Sequence, residues 1–365
     1  MNSLDAGLEW LSLTPLSPQI RGMSGCIRGV NSGIPKSLRL GRVNEFPRAG
    51  DLAVVRSLSD DGMYKFMEQP DETELPLRCG DMFIAVLANR YSGTSLSASV
   101  PTSRLSSGDQ LRLIAAGGLV GIETESQIQP PRGMLTSVVG FPMSDEVPIN
   151  TRDYPSLTTR SGAPNLFNKP IICVCGTSAE VGKTTTVCSL GRALRVVRPK
   201  SRLSAMKACG TGRMRDRRSY LSACYDVGID FVDFGLPSTY GLGAHEIHDM
   251  LTKMLSYCFE HTDVCVVELG GDFLEAGAPE ILAGLAGLGA KVILVVNDAM
   301  GAMEGMARLG TIGCNLWALG SYRQNLESLS QRLNFPPEKM FLPAVPASME
   351  SLVHELPETW TSKSS

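Results

Sequence analysis

The segment 171–195 constrains this chain more than any other, because it contains the signals for a buried strand, a short loop and a helix in direct succession. Its first five residues are apolar and predict the strand, whereas Val187, Leu190 and Leu194 recur at helical spacing. The loop between them, 176–182, begins and ends with glycine. This order is typical of a loop that binds phosphate at the N-terminus of a helix.

The residue types in the loop fit that chemistry. Gly182 lets the backbone bend tightly and bring its N–H groups against an anion, at the positive end of the following helix. Lys183 adds a mobile charge for phosphate oxygens, and the Thr184 hydroxyl can ligate Mg²⁺. The predicted nucleotide-binding set is Gly176, Thr177, Glu180, Val181, Gly182, Lys183, Thr184, Thr185 and, from a later strand end, Asn297.

Six residues rather than five separate Gly176 from Lys183. The resulting motif, GTSAEVGKT, resembles the dethiobiotin synthetase signature GTDTEVGKT and differs from it only at Ser178 and Ala179. The resemblance covers roughly residues 170–350 and also points to the related cobyrinic acid a,c-diamide synthetase. It implies ATP and Mg²⁺ as cofactors, a P-loop NTPase sheet, and a site that is commonly built at a homodimer interface.

The composition and net charge limit the classes of partner that this protein is expected to bind. The chain has 365 residues, enough for two domains, and a net charge of −3, which gives no electrostatic reason to bind nucleic acid or an anionic membrane. It contains no apolar run of membrane-spanning length and no basic-then-apolar start, so we expect a cytoplasmic protein. Its ten cysteines show no Cys-x-x-Cys spacing, which favours reduced core residues over a zinc site or disulfides.

The first 141 residues have the pattern of a small all-β domain. Gly-Asp pairs precede apolar runs three times, at Asp51, Asp81 and Asp109, with a spacing of about 28–30 residues. This spacing predicts a β-barrel or sandwich that contains a degenerate repeat, although chance recurrence is an alternative. We expect a module for substrate recognition, oligomerisation or partner binding.

The remaining domain boundaries are predicted from composition and hydrophobic periodicity. Residues 142–169 are rich in Pro, Ser and Thr and predict a linker, and 351–365 a C-terminal tail. Between them, from 170 to 350, apolar strands alternate with helical patterns. We therefore predict an α/β domain with a mostly parallel sheet, in which ligands bind at the carboxyl ends of the strands.

Lys207 ends the second predicted strand of this domain, beside a glycine-rich bend. There it can stabilise a transferring phosphoryl group or a substrate carboxylate, or it can be a solvated surface lysine. Dethiobiotin synthetase has an active-site lysine in the matching segment, which favours the first interpretation. Four arginines at 213, 215, 217 and 218 could clamp an acidic substrate or form a basic turn, and Asp216 among them is a candidate metal ligand that competes with Asp226 and Asp230.

Glu268 follows four apolar residues at the tip of another strand. A carboxylate there fits a metal-binding or water-orienting acid, and the resemblance implies a magnesium ligand. The predicted metal set is Thr184, Glu268 and Asp216, and the predicted catalytic set is Lys183, Lys207 and Glu268. The base-reading asparagine of the family, expected after a predicted strand 312–319, is replaced by Gly320 and Ser321, so Asn297 or Asp298 could contact the base.

His245 and His248 lie three residues apart on a predicted helix and could bind a metal with Asp249. Two histidines without the spacing of a known metal motif more often decorate a helix surface.

Two classes of function fit these patterns. The first is an ATP-dependent enzyme of the ligase or cyclase type, which activates a small carboxylate or amino-acid-like substrate for attack by a nitrogen nucleophile. The second is a regulatory ATPase that acts as a partner-controlled switch. Its relatives carry an extra lysine early in the loop, where this chain has Thr177 and Ser178, which favours the ligase. A third, weaker hypothesis is an amino-acid-modifying enzyme that uses the loop for an effector.

Overall fold

The computed structural model describes residues 8–11, 19–29, 38–92, 96–125, 133–160, 166–167 and 169–357. The chain divides into two compact units. The first comprises 1–157 with two later segments, 211–214 and 231–241, and the second comprises 158–210, 215–230 and 242–365. The predicted limits at 141, 169 and 350 differ from the boundaries of these units.

The first unit is built from short strands around a closed five-stranded barrel. Its strands are β1 Leu8–Leu11, β2 Ile20–Met23, β3 Leu38–Gly41, β4 Val43–Asn44, β5 Leu52–Ser57, β6 Phe66–Glu68, β7 Glu74–Pro76, β8 Met82–Leu87, β9 Arg90–Tyr91, β10 Ser97–Ser99, β11 Leu105–Ser106, β12 Gln110–Ala115, β13 Leu119–Glu125, β14 Met134–Ser144 and β15 Val147–Pro148. The ring runs β5–β8–β13–β12–β14 and returns to β5. Only the β8–β13 pair within it is parallel. Of the two predicted alternatives, the structure has the barrel.

The three Gly-Asp pairs adopt one turn geometry. In each, an aspartate Oδ2 accepts the N–H of the residue three positions earlier, at 2.9 Å for Asp51, 2.8 Å for Asp81 and 2.7 Å for Asp109. The preceding glycine has φ of 98°, 91° and 97°, respectively, a region that favours glycine. Each glycine N–H also donates to a strand carbonyl. The repeat in the sequence therefore reflects a single device for starting β5, β8 and β12.

The predicted linker begins within this sheet. Residues 142–144 continue β14, where Pro142 pairs with Leu40 of β3, and β15 then pairs back onto β14. Pro142 still takes part in the sheet, because proline lacks only the N–H and its carbonyl accepts the Ile149 N–H at 2.9 Å. The start of the segment is thus part of the folded unit, contrary to the prediction.

The second unit is a seven-stranded parallel sheet with helices between its strands. Its elements are β16 Ile171–Gly176, α1 Lys183–Val197, β17 Leu203–Lys207, α2 Met214–Ser222, β18 Val227–Asp230, α3 Ala244–His261, β19 Val264–Glu268, α4 Ala278–Gly287, β20 Lys291–Val296, α5 Ala299–Ile312, β21 Asn315–Ser321, α6 Leu326–Leu333, β22 Met340–Phe341 and α7 Pro346–His354. The strand order is β18-β17-β19-β16-β20-β21-β22, and every pair is parallel. The predicted parallel α/β sheet is confirmed.

The sheet is buried on both faces. Alternate residues of the central strands, such as Ile172 and Val174 of β16, pack in one core with α1 and α7. The residues between them, including Cys173 and Cys175, are also fully buried. Because both faces are covered, the strands read as continuous apolar runs rather than alternating ones. All ten cysteines are among the described residues, and none of them forms a disulfide.

Two predicted element limits were wrong. The apolar run 312–319 was predicted as one strand, but α5 extends to Ile312 and β21 runs from Asn315 to Ser321. The predicted tail begins inside α7, whose Leu352 belongs to the apolar core. At both positions apolar residues continue past the predicted boundary, so the packing of these residues in the core sets where the element ends. Within the described ranges, no helix is long and apolar enough to span a bilayer.

Candidate functional site

The predicted phosphate loop lies between β16, at the centre of the sheet, and α1. β16 ends at Gly176 and α1 begins at Lys183, so the helix N-terminus opens onto the loop. Gly182 has φ 104°, and a Cβ at this position would overlap the ring of Tyr322. Glycine is therefore required here both by backbone conformation and by a close side chain. The predicted strand, loop and helix are confirmed.

Lys183 lies under the loop with its ammonium group engaged. Its Nζ donates to the carbonyl oxygens of Ser178, at 2.8 Å, and of Gly271. Burial lowers the pKa of Lys183, and the nearby Glu268 carboxylate opposes this shift. The lysine thus bridges the loop and the segment after β19, and it brings a positive charge to the site predicted for phosphate.

Glu268 is the last residue of β19 and is held on both carboxylate oxygens. Oε1 accepts the Thr184 hydroxyl at 2.6 Å, and Oε2 accepts the Tyr220 hydroxyl at 2.7 Å. Burial and, secondarily, the charge of Asp216 raise the pKa of Glu268. Lys207 and the two hydroxyl donors act in the opposite direction. The structure therefore brings Thr184 and Glu268 together, as the predicted metal set requires.

Lys207 and Asp216 form an ion pair beside Glu268. Lys207 ends β17, and its Nζ bonds to Oδ2 of Asp216 in the first turn of α2. The side chains are 13% and 12% exposed, so the pair is largely shielded from water. Among the three competing aspartates, Asp216 contacts Lys207 and Asp226 bonds to Arg195. Asp230 ends β18, in register with Lys207.

The oxygen donors at this point fit Mg²⁺. Thr184 provides a hydroxyl and Glu268 and Asp216 provide carboxylates, which are the hard ligands that Mg²⁺ prefers. The two carboxylates are close enough for Asp216 to raise the pKa of Glu268, a repulsion that a divalent cation would relieve. No cluster of three or more metal-ligating His, Cys, Asp or Glu side chains occurs among the described residues.

The other predicted nucleotide contacts lie around the same loop. The Thr177 N–H donates to Val295 at the end of β20, and the Asn297 amide donates to the Ser178 hydroxyl at 2.8 Å. Val181 is buried in the apolar core, whereas Glu180 is exposed with φ 60°. Asn297 thus supports the loop from the neighbouring strand end.

The strand β21 ends two residues later than predicted, next to the place where the sequence predicted a residue that contacts the nucleotide base. Gly320 and Ser321 are the last residues of the strand and do not follow it. The next residue, Tyr322, packs its ring against Gly182, and the Gln324 amide donates to the Asn297 carbonyl at 3.1 Å. The sequence placed the end of this strand at Leu319, two residues before its end in the structure, and the contact of Asn297 or Asp298 with the base stays a prediction.

Two of the four arginines in the predicted run contact other residues of this protein. Arg213 lies 3.3 Å from the buried Glu68 carboxylate within the first unit. Arg217 donates to the Gly228 carbonyl at 3.1 Å. His245 and His248 are both exposed at the start of α3, and Asp249 pairs with Lys253. These contacts favour the structural interpretation of the histidines.

Three contributors to the site were missed in the sequence. Tyr220 bonds to Glu268, Tyr322 packs on Gly182, and the Gly271 carbonyl accepts Lys183. Tyr220 could have been found, because it lies four residues after Asp216 and so on the same helical face. The contacts of Tyr322 and Gly271 form only when the ends of β21 and β19 are brought next to the phosphate loop in the assembled sheet.

Comparisons with known proteins assign this chain to no family. No family model matches the chain, and no curated protein is similar to it in sequence. The structure is similar to a ParA family ATPase from Chlorobium tepidum TLS at 12% identity and TM-score 0.32, over 51% of this chain and 90% of that one. It is similar to the cell division protein FtsY of Thermotoga maritima at 13% identity and TM-score 0.33, over 56% and 74%.

A third similar structure is a DUF1611 family protein from Anabaena variabilis ATCC 29413, at 11% identity and TM-score 0.37, over 58% of this chain and 66% of that one. None of these three is a dethiobiotin synthetase, and the resemblance to that family stays a prediction. Because all three likenesses are weak, the side chains of the site carry the functional proposal.

Proposed function

We propose that the second unit is a Mg·ATP-dependent enzyme of the ligase or cyclase type, which activates a small-molecule carboxylate by phosphoryl transfer. The observation that carries this proposal is the meeting of three charged groups at adjacent strand ends. Lys183 follows β16, Lys207 ends β17 and Glu268 ends β19, and Glu268 contacts the loop through Thr184. This set suits a reaction in which negative charge moves between phosphate and carboxylate oxygens.

Each residue then has a distinct role. Lys183 and the amides at the start of α1 would bind the β- and γ-phosphates. Thr184, Glu268 and Asp216 would hold Mg²⁺, which offsets phosphate charge when bound. Lys207 would attract the acceptor carboxylate and stabilise the transferring group. Activation is needed because a carboxylate at neutral pH resists attack by an amine, so the second substrate is expected to be a nitrogen nucleophile.

The Lys207–Asp216 ion pair is largely shielded from water, which supports a role for Lys207 in the site rather than as a surface charge. An exposed lysine would gain little from such a contact, whereas a largely buried one is costly to hold unless it is paired. The pair therefore keeps an ammonium group ready beside Glu268. A carboxylate or amino-acid-like acceptor is the class of substrate that this ammonium favours.

The test is ADP release by the purified protein with Mg·ATP, alone and with a panel of small carboxylic and amino acids. Stimulation by one acid, with ADP and product formed one for one, is the expected result. A slow rate indifferent to every acid would instead favour the switch ATPase, and product without ADP would favour the amino-acid-modifying enzyme. Failure of Mg·ATP to bind would overturn the proposal altogether.

A further inference from the structure

The Glu268 carboxylate is fixed from two helices at once. Thr184 on α1 donates to one oxygen and Tyr220 on α2 donates to the other, at 2.6 and 2.7 Å. A glutamate side chain has several rotatable bonds, and a single hydrogen bond would leave its carboxylate free to turn. Two donors on opposite oxygens define the orientation of the group.

Tyr220 is itself held rigidly. It is fully buried, and its ring meets that of Tyr225 edge to face with centroids 6.3 Å apart. Tyr225 is also buried, and its hydroxyl donates to the Val187 carbonyl of α1 at 2.8 Å. Phenylalanine would fill the same space, so the buried hydroxyl at 220 is explained by its bond to Glu268 rather than by packing.

The position of Tyr220 in α2 adds to this argument. Asp216 and Tyr220 are four residues apart and so lie on one face of the helix. One contacts Lys207 and the other contacts Glu268. A single helix therefore presents a second carboxylate and also sets the orientation of the first.

We propose that Tyr220 is a positioning residue, which holds Oε2 of Glu268 so that Oε1 is directed to the Thr184 hydroxyl, in the orientation that binds a divalent cation. This inference rests on the proposed function, because it assigns Tyr220 to the metal site of that function. Tyr220 is fully buried and donates its hydroxyl to Glu268, so it acts through that carboxylate. Loss of the Tyr220 hydroxyl is therefore expected to lower the affinity for the metal and to leave the affinity for nucleotide in the absence of metal unchanged.

The experiment compares Tyr220→Phe with Tyr225→Phe. Each removes one hydroxyl from a buried tyrosine in the same aromatic pair, and only the first removes a donor to Glu268. Binding of a fluorescent ATP analogue is measured in EDTA and across a Mg²⁺ titration, and binding of Mn²⁺ alone is measured by electron paramagnetic resonance. Circular dichroism and urea unfolding establish that the variants fold.

We expect Y220F to raise the half-saturating Mg²⁺ and the Mn²⁺ dissociation constant by about 10-fold or more, as for other residues that orient metal ligands. Affinity in EDTA should stay within about 2-fold of wild type, and Y225F should change none of the three. In a Glu268→Gln background, Y220F should have no further effect on either metal. Equal metal effects of Y220F and Y225F, or an undiminished effect in E268Q, would overturn the inference.

The two proposals fail in different ways. If the wild type binds Mn²⁺ or Mg·nucleotide but Y220F binds as well as wild type, only the role of Tyr220 is lost. If metal binding depends on Tyr220 but no acid stimulates ADP release, the ligase reaction is lost and the positioning role stands. A wild type that binds neither nucleotide nor metal would overturn both.

Discussion

Lys207 and Glu268 lie opposite each other in the register of two neighbouring parallel strands, and each is the last residue of its strand. Their charged groups then turn to different partners. Lys207 bonds to Asp216, whereas Glu268 accepts the hydroxyls of Thr184 and Tyr220. Parallel register thus places an ammonium and a carboxylate side by side, while side chains on α1 and α2 give each its own orientation.

Replacing Lys183 with Ala should lower nucleotide affinity and turnover together. The ammonium bridges Ser178 and Gly271 around the loop and supplies its buried positive charge. Since hydrogen bonds to charged groups contribute about 1.5–3 kcal/mol each, affinity should fall by about 100-fold. Fluorescent nucleotide titration measures this, with the exposed Lys200→Ala as control. Retained affinity in K183A would remove the phosphate role from the loop.

Replacing Lys207 with Ala should spare ATP binding and lower only acid-stimulated turnover. The loss of one preorganised donor to a charge that develops in the reaction costs about 100-fold or more in rate. Steady-state kinetics with the stimulating acid, alongside nucleotide titration, separates the two effects. Lys253→Ala is a matched control, since it also breaks a Lys–Asp pair, but an exposed one. An equal loss of ATP affinity in K207A would contradict the assigned role.

Glu268→Gln should flatten part of the pH dependence of stability. Burial raises the pKa of Glu268 in the native state above its ordinary value of 4.5. The native state therefore binds more protons than the unfolded state between these two pKa values, and the free energy of unfolding falls as pH rises through that window. Urea unfolding of both proteins at a series of pH values, from 4.5 upwards, gives the difference.

The charged and hydroxyl groups near Glu268 include Lys183, Asp216, Lys207, Thr184 and Tyr220, and they are the same in the two proteins. A wild-type curve parallel to that of E268Q would show that Glu268 has no raised pKa. The same variant should weaken the Mg²⁺ dependence of nucleotide binding more than binding in EDTA, because the amide is a poorer magnesium ligand than a carboxylate.

Gly182→Ala should destabilise the fold for two separable reasons. With φ 104°, an L-residue is strained by about 1–2 kcal/mol, and the new Cβ also meets the Tyr322 ring. In a Tyr322→Ala background only the backbone term should remain, so the cost of G182A should be smaller there. Urea unfolding of the four proteins forms a double-mutant cycle. Equal costs in both backgrounds would exclude the contact with Tyr322.

The three Gly-Asp turns should differ in their contribution to stability despite their common geometry. Asp51 is fully buried and also accepts the Asn44 and Asn150 amides at 2.8 Å. Its replacement by Ala strands several buried donors and should cost about 3 kcal/mol or more. The exposed Asp109→Ala should cost about 1 kcal/mol. Similar losses at the two sites would show that the turn itself, and not the buried network, sets the cost.

Periodicity and residue type were sufficient for the regular parts of this protein. The buried strand β16, the loop that ends at Gly182 and the first turn of α1 were all predicted, because steric and hydrogen-bonding demands of a phosphate loop are local. The parallel sheet followed from apolar runs that alternate with helices. The strand ends at Lys207 and Glu268 followed in the same way.

Limits that depend on burial were less predictable. The limits of β21 were misplaced, since apolar residues continue from α5 into the strand, and the predicted tail at 351–365 begins inside α7. The prolines after residue 141 predict a linker, but Pro142 and Pro148 lie in β14 and β15, which pair with each other. The meaning of the Gly-Asp repeat was also hidden, because the acceptors of its glycine N–H groups lie on distant strands.

The sequence by itself determined which chemistry the second unit can offer: a glycine loop, two lysines and a carboxylate, each at the end of a predicted element. Only the tertiary structure decided how these groups are oriented, including the bond from Tyr220 to Glu268 and the contact of Tyr322 with Gly182. The physical reason is the range of the interactions. Strand, turn and helix signals act over a few residues, whereas the side-chain contacts of the site join residues about 50 to 140 positions apart, whose proximity arises only when the sheet is assembled.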